Sequence, residues 1–238
     1  MLAKERIIVA LDVSTQDEAA TLVKELAPHV GMFKIGLELT TAVGTPQIVR
    51  FLQDQGTEVF LDAKFKDIPT TMARASAAAS RLGVTAFNVH ASAGIDSMFA
   101  AHDNKGTSKA WAVTVLTSMD AVDCELVYGN TPPAKVLQFA RDALHAQMDG
   151  IICSPLELQM LRKRPELKGL DMITPGVRPE WAPTNEQKRF MTPYEAIRAG
   201  ATYLVIGRPL TKPPGHMSRT EAAKCVVKEI EEALSEMK

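Results

Sequence analysis

The run Asp62-Ala63-Lys64-Phe65-Lys66-Asp67 sets carboxylates two residues before and three residues after an ammonium. It follows Glu58-Val59-Phe60-Leu61, a short apolar stretch that reads as a buried strand. Residues two apart in a strand share a face, so Asp62 and Lys64 are expected to project together. Asp67 falls just past the strand, before Ile68-Pro69 turns the chain toward a helix. Crowding such charges at a strand end is costly without a functional return. The cluster suits an enzyme that handles negative charge and a proton at one point.

The elements around it recur with one period. Apolar, β-rich runs lie at 7–11, 32–35, 58–61, 86–89, 110–116, 150–153, 171–173 and 203–206. Amphipathic stretches at 16–26, 46–55, 71–82, 95–102, 133–146, 156–164, 193–199 and 219–237 read as helices. Strands alternating with helices specify a parallel sheet covered on both faces. Eight such units in 238 residues, without a break in composition, predict a single-domain (β/α)8 barrel over 1–238. An open doubly wound sheet would usually carry a glycine-rich turn after its first strand, where this chain has Leu11-Asp12-Val13-Ser14.

Composition narrows the partners. The net charge is −1 with both signs interspersed, so the basic stripe of a nucleic-acid binder is missing. No apolar run approaches the roughly 20 residues needed to span a bilayer. Residues 1–6 lead straight into a strand without a signal-peptide core, and Cys124, Cys153 and Cys225 are too far apart for a disulfide framework. A reduced, cytoplasmic protein is expected.

Barrel active sites form at the C-terminal strand ends. Those ends carry Asp12, Lys34, Asp62 with Lys64, His90, Thr117, Ser154, Thr174-Pro175-Gly176 and Gly207-Arg208. Charges of alternating sign on the first three units can stabilise one another. The last two units each place a glycine and an arginine past a strand, in Pro175-Gly176-Val177-Arg178 and Ile206-Gly207-Arg208. Backbone N–H groups beside glycine and a guanidinium fork both grip phosphate, and barrels often bind phosphate after strands seven and eight. The connection from Arg178 to Thr192 is long for this fold and suits a lid, with Gln187 a candidate on its inner side. His90 reads as a hydrogen-bonded structural histidine. No metal-ligand spacing occurs, and Thr117 and Ser154 lack a nucleophile relay.

Asp62 through Thr71, with Ile68-Pro69-Thr70-Thr71 completing the run, resembles the signature of the orotidine 5′-monophosphate decarboxylase family. The likeness extends to Ala10-Leu11-Asp12, Phe33-Lys34-Ile35-Gly36, Asn88-Val89-His90-Ala91, the segment 113–119 and both phosphate loops. Lys66 and Thr70 stand where bacterial members often have histidine and asparagine. The resemblance implies cofactor-free, metal-free conversion of orotidine 5′-monophosphate (OMP) to UMP and carbon dioxide. Asp12 and Lys34 would meet the ribose, Asp62 the substrate carboxylate, and Lys64 would protonate C6. Thr117 would help hold the pyrimidine, and Arg178, Gln187, Gly207 and Arg208 the phosphate. It also implies a homodimer in which Asp67 and Thr71 complete the partner's site, giving a Lys34-Asp62-Lys64-Asp67 charge network.

Two other readings stay open. One is a sister phosphosugar enzyme using a similar Asp-x-Lys-x-x-Asp constellation with a divalent metal. The other is a nucleotide-binding barrel without catalysis.

Overall fold

The computed structural model describes residues 1–182 and 190–237. Its eight strands are β1 Ile7–Leu11, β2 Met32–Ile35, β3 Glu58–Phe65, β4 Ala86–His90, β5 Lys109–Val113, β6 Gly150–Ile152, β7 Asp171–Thr174 and β8 Tyr203–Ile206. All pair in parallel and in chain order, and β8 returns to β1 to close a barrel. The helices are α1 Gln16–Leu26, α2 Leu37–Val43, α3 Thr45–Asp54, α4 Pro69–Arg81, α5 Ile95–Asp103, α6 Ala121–Tyr128, α7 Pro132–His145, α8 Leu158–Arg162, α9 Pro193–Arg198, α10 Arg208–Thr211 and α11 Arg219–Ser235. Reciprocal caps fix several helix starts, as where Thr15 and Glu18 satisfy each other's backbone N–H at α1. This is the expected (β/α)8 architecture.

The strands are apolar on both faces because each face has its own core. Outward residues such as Ile7, Val9 and Leu11 pack with helix residues such as Leu22 and Val226. Inward residues Ile8, Ala10, Met32, Phe60, Ala86, Trp111, Ile173, Tyr203 and Val205 fill the barrel. Phe60 meets Trp111 edge-on at 4.8 Å, and Trp111 meets Tyr203 at 5.4 Å. Each such pair adds about 0.5–1.5 kcal/mol beyond its buried area. One strand step of two beyond Ala10, Met32 and Phe60 come Asp12, Lys34 and Asp62. The inward register that builds the core therefore also aims these charges at the mouth.

Several boundaries differ from the sequence expectation for identifiable reasons. β3 runs on to Phe65 across a register shift. β5 stops at Val113, because Thr114 turns its hydroxyl to the Ile152 carbonyl at 2.8 Å and frees 115–116 to line the mouth. The helix expected at 156–164 divides into a 3-10 turn, Pro155–Glu157, and α8. Helix α6 was not anticipated: Val122, Leu126 and Val127 are exposed, so its apolar residues do not mark a core-facing stripe. Asp120 caps its start and Gly129, at φ +68°, ends it.

Candidate active site

A cavity of about 350 Å³ opens at the C-terminal ends of the strands. Its lining includes Asp12, Lys34, Asp62, Lys64 and Asn88 on one side and Val113, Val115, Leu116, Thr117 and Ile152 on another. Gly176, Arg178, Gly207 and Arg208 complete the wall. The cavity is thus charged toward β1–β4, apolar toward β5–β6 and guanidinium-bearing toward β7–β8.

The charged side is a chain of contacts. Lys34 Nζ lies 3.2 Å from Asp12 Oδ1 and 3.1 Å from Asp62 Oδ2. Asp62 Oδ1 accepts from Lys64 Nζ at 2.6 Å and from Asn88 Nδ2 at 2.6 Å. Two ammonium groups and two carboxylates make a neutral alternation. Burial alone would lower the pKa of Lys34, but attraction to Asp62 and then Asp12 outweighs it, and the pKa is raised above 10.5. Burial would raise Asp62, but Lys34, Lys64 and their hydrogen bonds, with Asn88, hold it below 3.8. The signs follow by linkage. The stability Asp62 contributes is present above its unfolded pKa and lost as pH falls through the folded one. That from Lys34 is present below its unfolded pKa and lost as pH rises through the folded one. Between those limits Lys34 and Asp62 both stay charged.

Backbone geometry supports the arrangement. Lys64 adopts φ +52°, a left-handed conformation that costs a non-glycine residue about 1–3 kcal/mol. Gly36, just past β2, leaves room for the Lys34 ammonium, since a Cβ there would stand 3.0 Å from Nζ. At the opposite wall Gly176 holds φ +77°, and Arg178 is buried. Burial and then the like charge of Arg208 lower the pKa of Arg178, so two guanidinium fields converge there. Val177 bridges Met191, and the Arg178 N–H donates to the Met191 carbonyl at 2.9 Å, which pins the two ends of the intervening loop together.

Of the residues singled out in the sequence, Asp12, Lys34, Asp62, Lys64, Thr117, Arg178, Gly207 and Arg208 line this one cavity. Gln187 lies outside the described residues. Asp67 does not join the cluster within one chain, so the second carboxylate beside Lys34 is that of Asp12. The reason is local: β3 ends at Phe65, the chain turns outward, and Asp67 Oδ1 accepts from the next N–H, that of Ile68, at 2.7 Å. Asp67 instead borders a second recess, with Lys66, Ile68, Pro69 and residues 92–97. Thr71 is exposed on α4, and the whole run 66–71 faces outward. His90 is half-buried and its imidazole pKa is lowered by burial, then by Lys66 and Lys64. Its side chain makes no hydrogen bond to protein among the described residues.

Asn88 was overlooked as a site residue. The available signal was a single amide inside the otherwise apolar run Ala86-Phe87-Asn88-Val89. An inward polar residue that is 0 % exposed must have partners, and both of its partners belong to the cluster.

Ionisable groups gathered at the C-terminal strand ends of a closed eightfold barrel define a (β/α)8-barrel enzyme. Residues 5–223 match the family described as Orotidine 5′-phosphate decarboxylase / HUMPS, and the chain belongs to that family. It is 44 % identical to an orotidine 5′-phosphate decarboxylase of Geotalea daltonii, covering 96 % of this chain and 97 % of that one. A relative of the same description from Heliobacterium modesticaldum is 41 % identical over 99 % of both chains. Among solved structures, orotidine 5′-phosphate decarboxylase from Lactobacillus acidophilus superposes with TM-score 0.80 at 31 % identity, over 94 % of this chain and 98 % of that one.

Proposed function

We infer that this chain is a carboxy-lyase of pyrimidine biosynthesis, converting OMP to UMP and carbon dioxide. The observation that carries the chemistry is the Asp62–Lys64 pair, 2.6 Å apart on the cavity wall and backed by Lys34 and Asp12. In this reading the substrate carboxylate comes beside Asp62. The C6–carboxylate bond breaks, its electron pair remains on C6, and carbon dioxide leaves. Lys64 stabilises that developing charge and gives C6 a proton, then regains one from solvent. Electrons balance without an external carrier.

The rest of the cavity supports the same substrate. In this reading Asp12 and Lys34 meet ribose hydroxyls, the apolar wall with Thr117 takes the pyrimidine, and Arg178, Gly207 and Arg208 take phosphate; their sharing one cavity supports it. Gripping the remote phosphate supplies binding energy for orientation at C6. The outward run carrying Asp67 and Thr71 suits delivery to a second subunit's cavity, so we read the enzyme as a homodimer with shared sites. Gln187, outside the described residues, would add to the phosphate grip as the family resemblance implies. No helix among the described residues is long and apolar enough to cross a membrane.

The Lys34 ammonium, within 3.2 Å of both Asp12 and Asp62, supplies the positive charge that a divalent ion would bring between two carboxylates. That favours OMP over a metal-dependent phosphosugar substrate. The test is to mix EDTA-treated protein with OMP and follow the substrate's ultraviolet absorbance. Rapid conversion to UMP is expected. A folded protein that leaves OMP untouched but acts on phosphosugars with magnesium would overturn the assignment.

A further inference from the structure

Between β3 and β4 the pairing advances from Leu61↔Phe87 to Phe65↔Val89, four residues on one strand against two on the other. Residues 62–64 therefore bulge opposite Asn88 alone. A bulge strips the ladder of regular partners and re-aims side chains. Here the Asn88 side chain stands in for the missing ladder: its Oδ1 accepts the Lys64 N–H at 2.7 Å. Its Nδ2 donates to Asp62 Oδ1 at 2.6 Å, the same oxygen that takes Lys64 Nζ.

We propose that Asn88 is a positioning residue for decarboxylation, one amide fixing both the left-handed backbone of Lys64 and the carboxylate orientation of Asp62. The proposal deepens the OMP reading and rests on it for its kinetic arm. Three features single out an amide. It must donate and accept at once, which neither an aliphatic side chain nor an ionised carboxylate can do. It is neutral, so it orients Asp62 without competing with the two ammonium groups for charge balance. It is fully buried on a barrel strand, which gives it a rigid base. Asn88 lines the cavity floor, and its amide is occupied by Lys64 and Asp62. It acts through those two residues rather than on the substrate.

The experiment compares the wild type with Asn88→Leu, which keeps the volume and loses both bonds, and Asn88→Asp, which keeps the acceptor and loses the donor when ionised. For Asn88→Leu, kcat is expected to fall about 10- to 100-fold, the scale of a small misplacement of reacting groups. UMP affinity should stay within about threefold, because ribose, pyrimidine and phosphate contacts remain. If Asn88→Leu does not fold, the same kcat loss is expected of Asn88→Asp. A kcat within about twofold of wild type, or a loss of UMP affinity matching the loss of kcat, would overturn the proposal. Crystal structures of the variants supply an arm independent of turnover. Lys64 leaving the left-handed region, or its contact with Asp62 opening beyond hydrogen-bond range, supports the role; both retained in each variant refutes it. Wild-type protein inert toward OMP would sink the substrate assignment while the crystallographic arm still decided the role of Asn88.

Discussion

At the N-terminal end of the barrel, Lys109 Nζ sits 2.6 Å from Asp171 Oδ2, 3.4 Å from the Tyr203 hydroxyl and 5.4 Å from the centre of its ring. At the C-terminal end, Lys64 Nζ sits at the same 2.6 Å from Asp62 Oδ1. The contacts are alike and their settings are opposite. Below, the three residues begin regular strands, and the ladder Phe60–Trp111–Tyr203 fills the space above them. Above, the pair borders an open cavity, one member has a left-handed backbone, and two more charges crowd in. A solvent-screened ion pair on regular strand starts closes the end of a packed core, whereas a more buried pair on a strained backbone beside a cavity is held ready for a further charge. Distance alone does not separate a structural pair from a reactive one; the strain and the space beside it do.

Emptying the upper pair gives the largest expected effect. Lys64→Ala removes proton donor and positive charge together, contributions of about 10²–10⁴ and 10²–10³ in rate, so turnover should fall by about 10⁴-fold or more. UMP binding measured by calorimetry should change far less. Near-normal turnover would put the proton donor elsewhere and erase the contrast between the two ends.

The mirror experiment is Lys109→Met, which keeps an apolar stem and discards the charge. Turnover should stay within about twofold. Stability should drop by only about 1 kcal/mol, since the lysine is partly exposed and solvent screens the pair, which lowers Tm by about 2–4 °C. A kinetic defect larger than the thermal one would mean that the lower end communicates with the site.

The smallest effect lies outside both ends, on α11. Burial, opposed by the Tyr194 backbone N–H and reinforced by Glu180, Glu232 and Glu195, pushes the Glu229 carboxyl up to about 7. A carboxyl raised in the folded state holds a proton that the unfolded chain has already released, so its effect is a loss of stability as pH rises from about 4.5 to 7. Glu229→Gln should therefore stabilise by about 1 kcal/mol at pH 8, discounted for partial exposure, and by almost nothing at pH 4. Thermal melts at the two pH values check this; equal shifts at both would show that packing, not charge, is responsible.

The barrel was legible because its strands carry apolar residues on both faces and its charges sit at every second residue past the core. Asp12, Lys34, Asp62 and Lys64 could be placed together from that period alone. The bulge opposite Asn88 could not, since a register shift depends on the neighbouring strand and leaves no mark in its own. Helix α6 escaped because pattern reading assumes that apolar faces point inward, and Val122, Leu126 and Val127 do not. Asp67 lies three residues past Lys64 and borders another recess, so its expected place in the network depends on a second subunit, which one chain's sequence pattern does not display.

Gly36 has a consequence for how this protein can vary. What a methyl group there would strike is the end of a flexible side chain rather than backbone, so a folded alanine variant is physically accessible. The obstacle is that the lysine would have to yield, and Lys34 holds two carboxylates together. Drift at position 36 is thus limited by chemistry and not by folding, and a tolerance map scored on growth would mark it with the active site while one scored on abundance would pass over it.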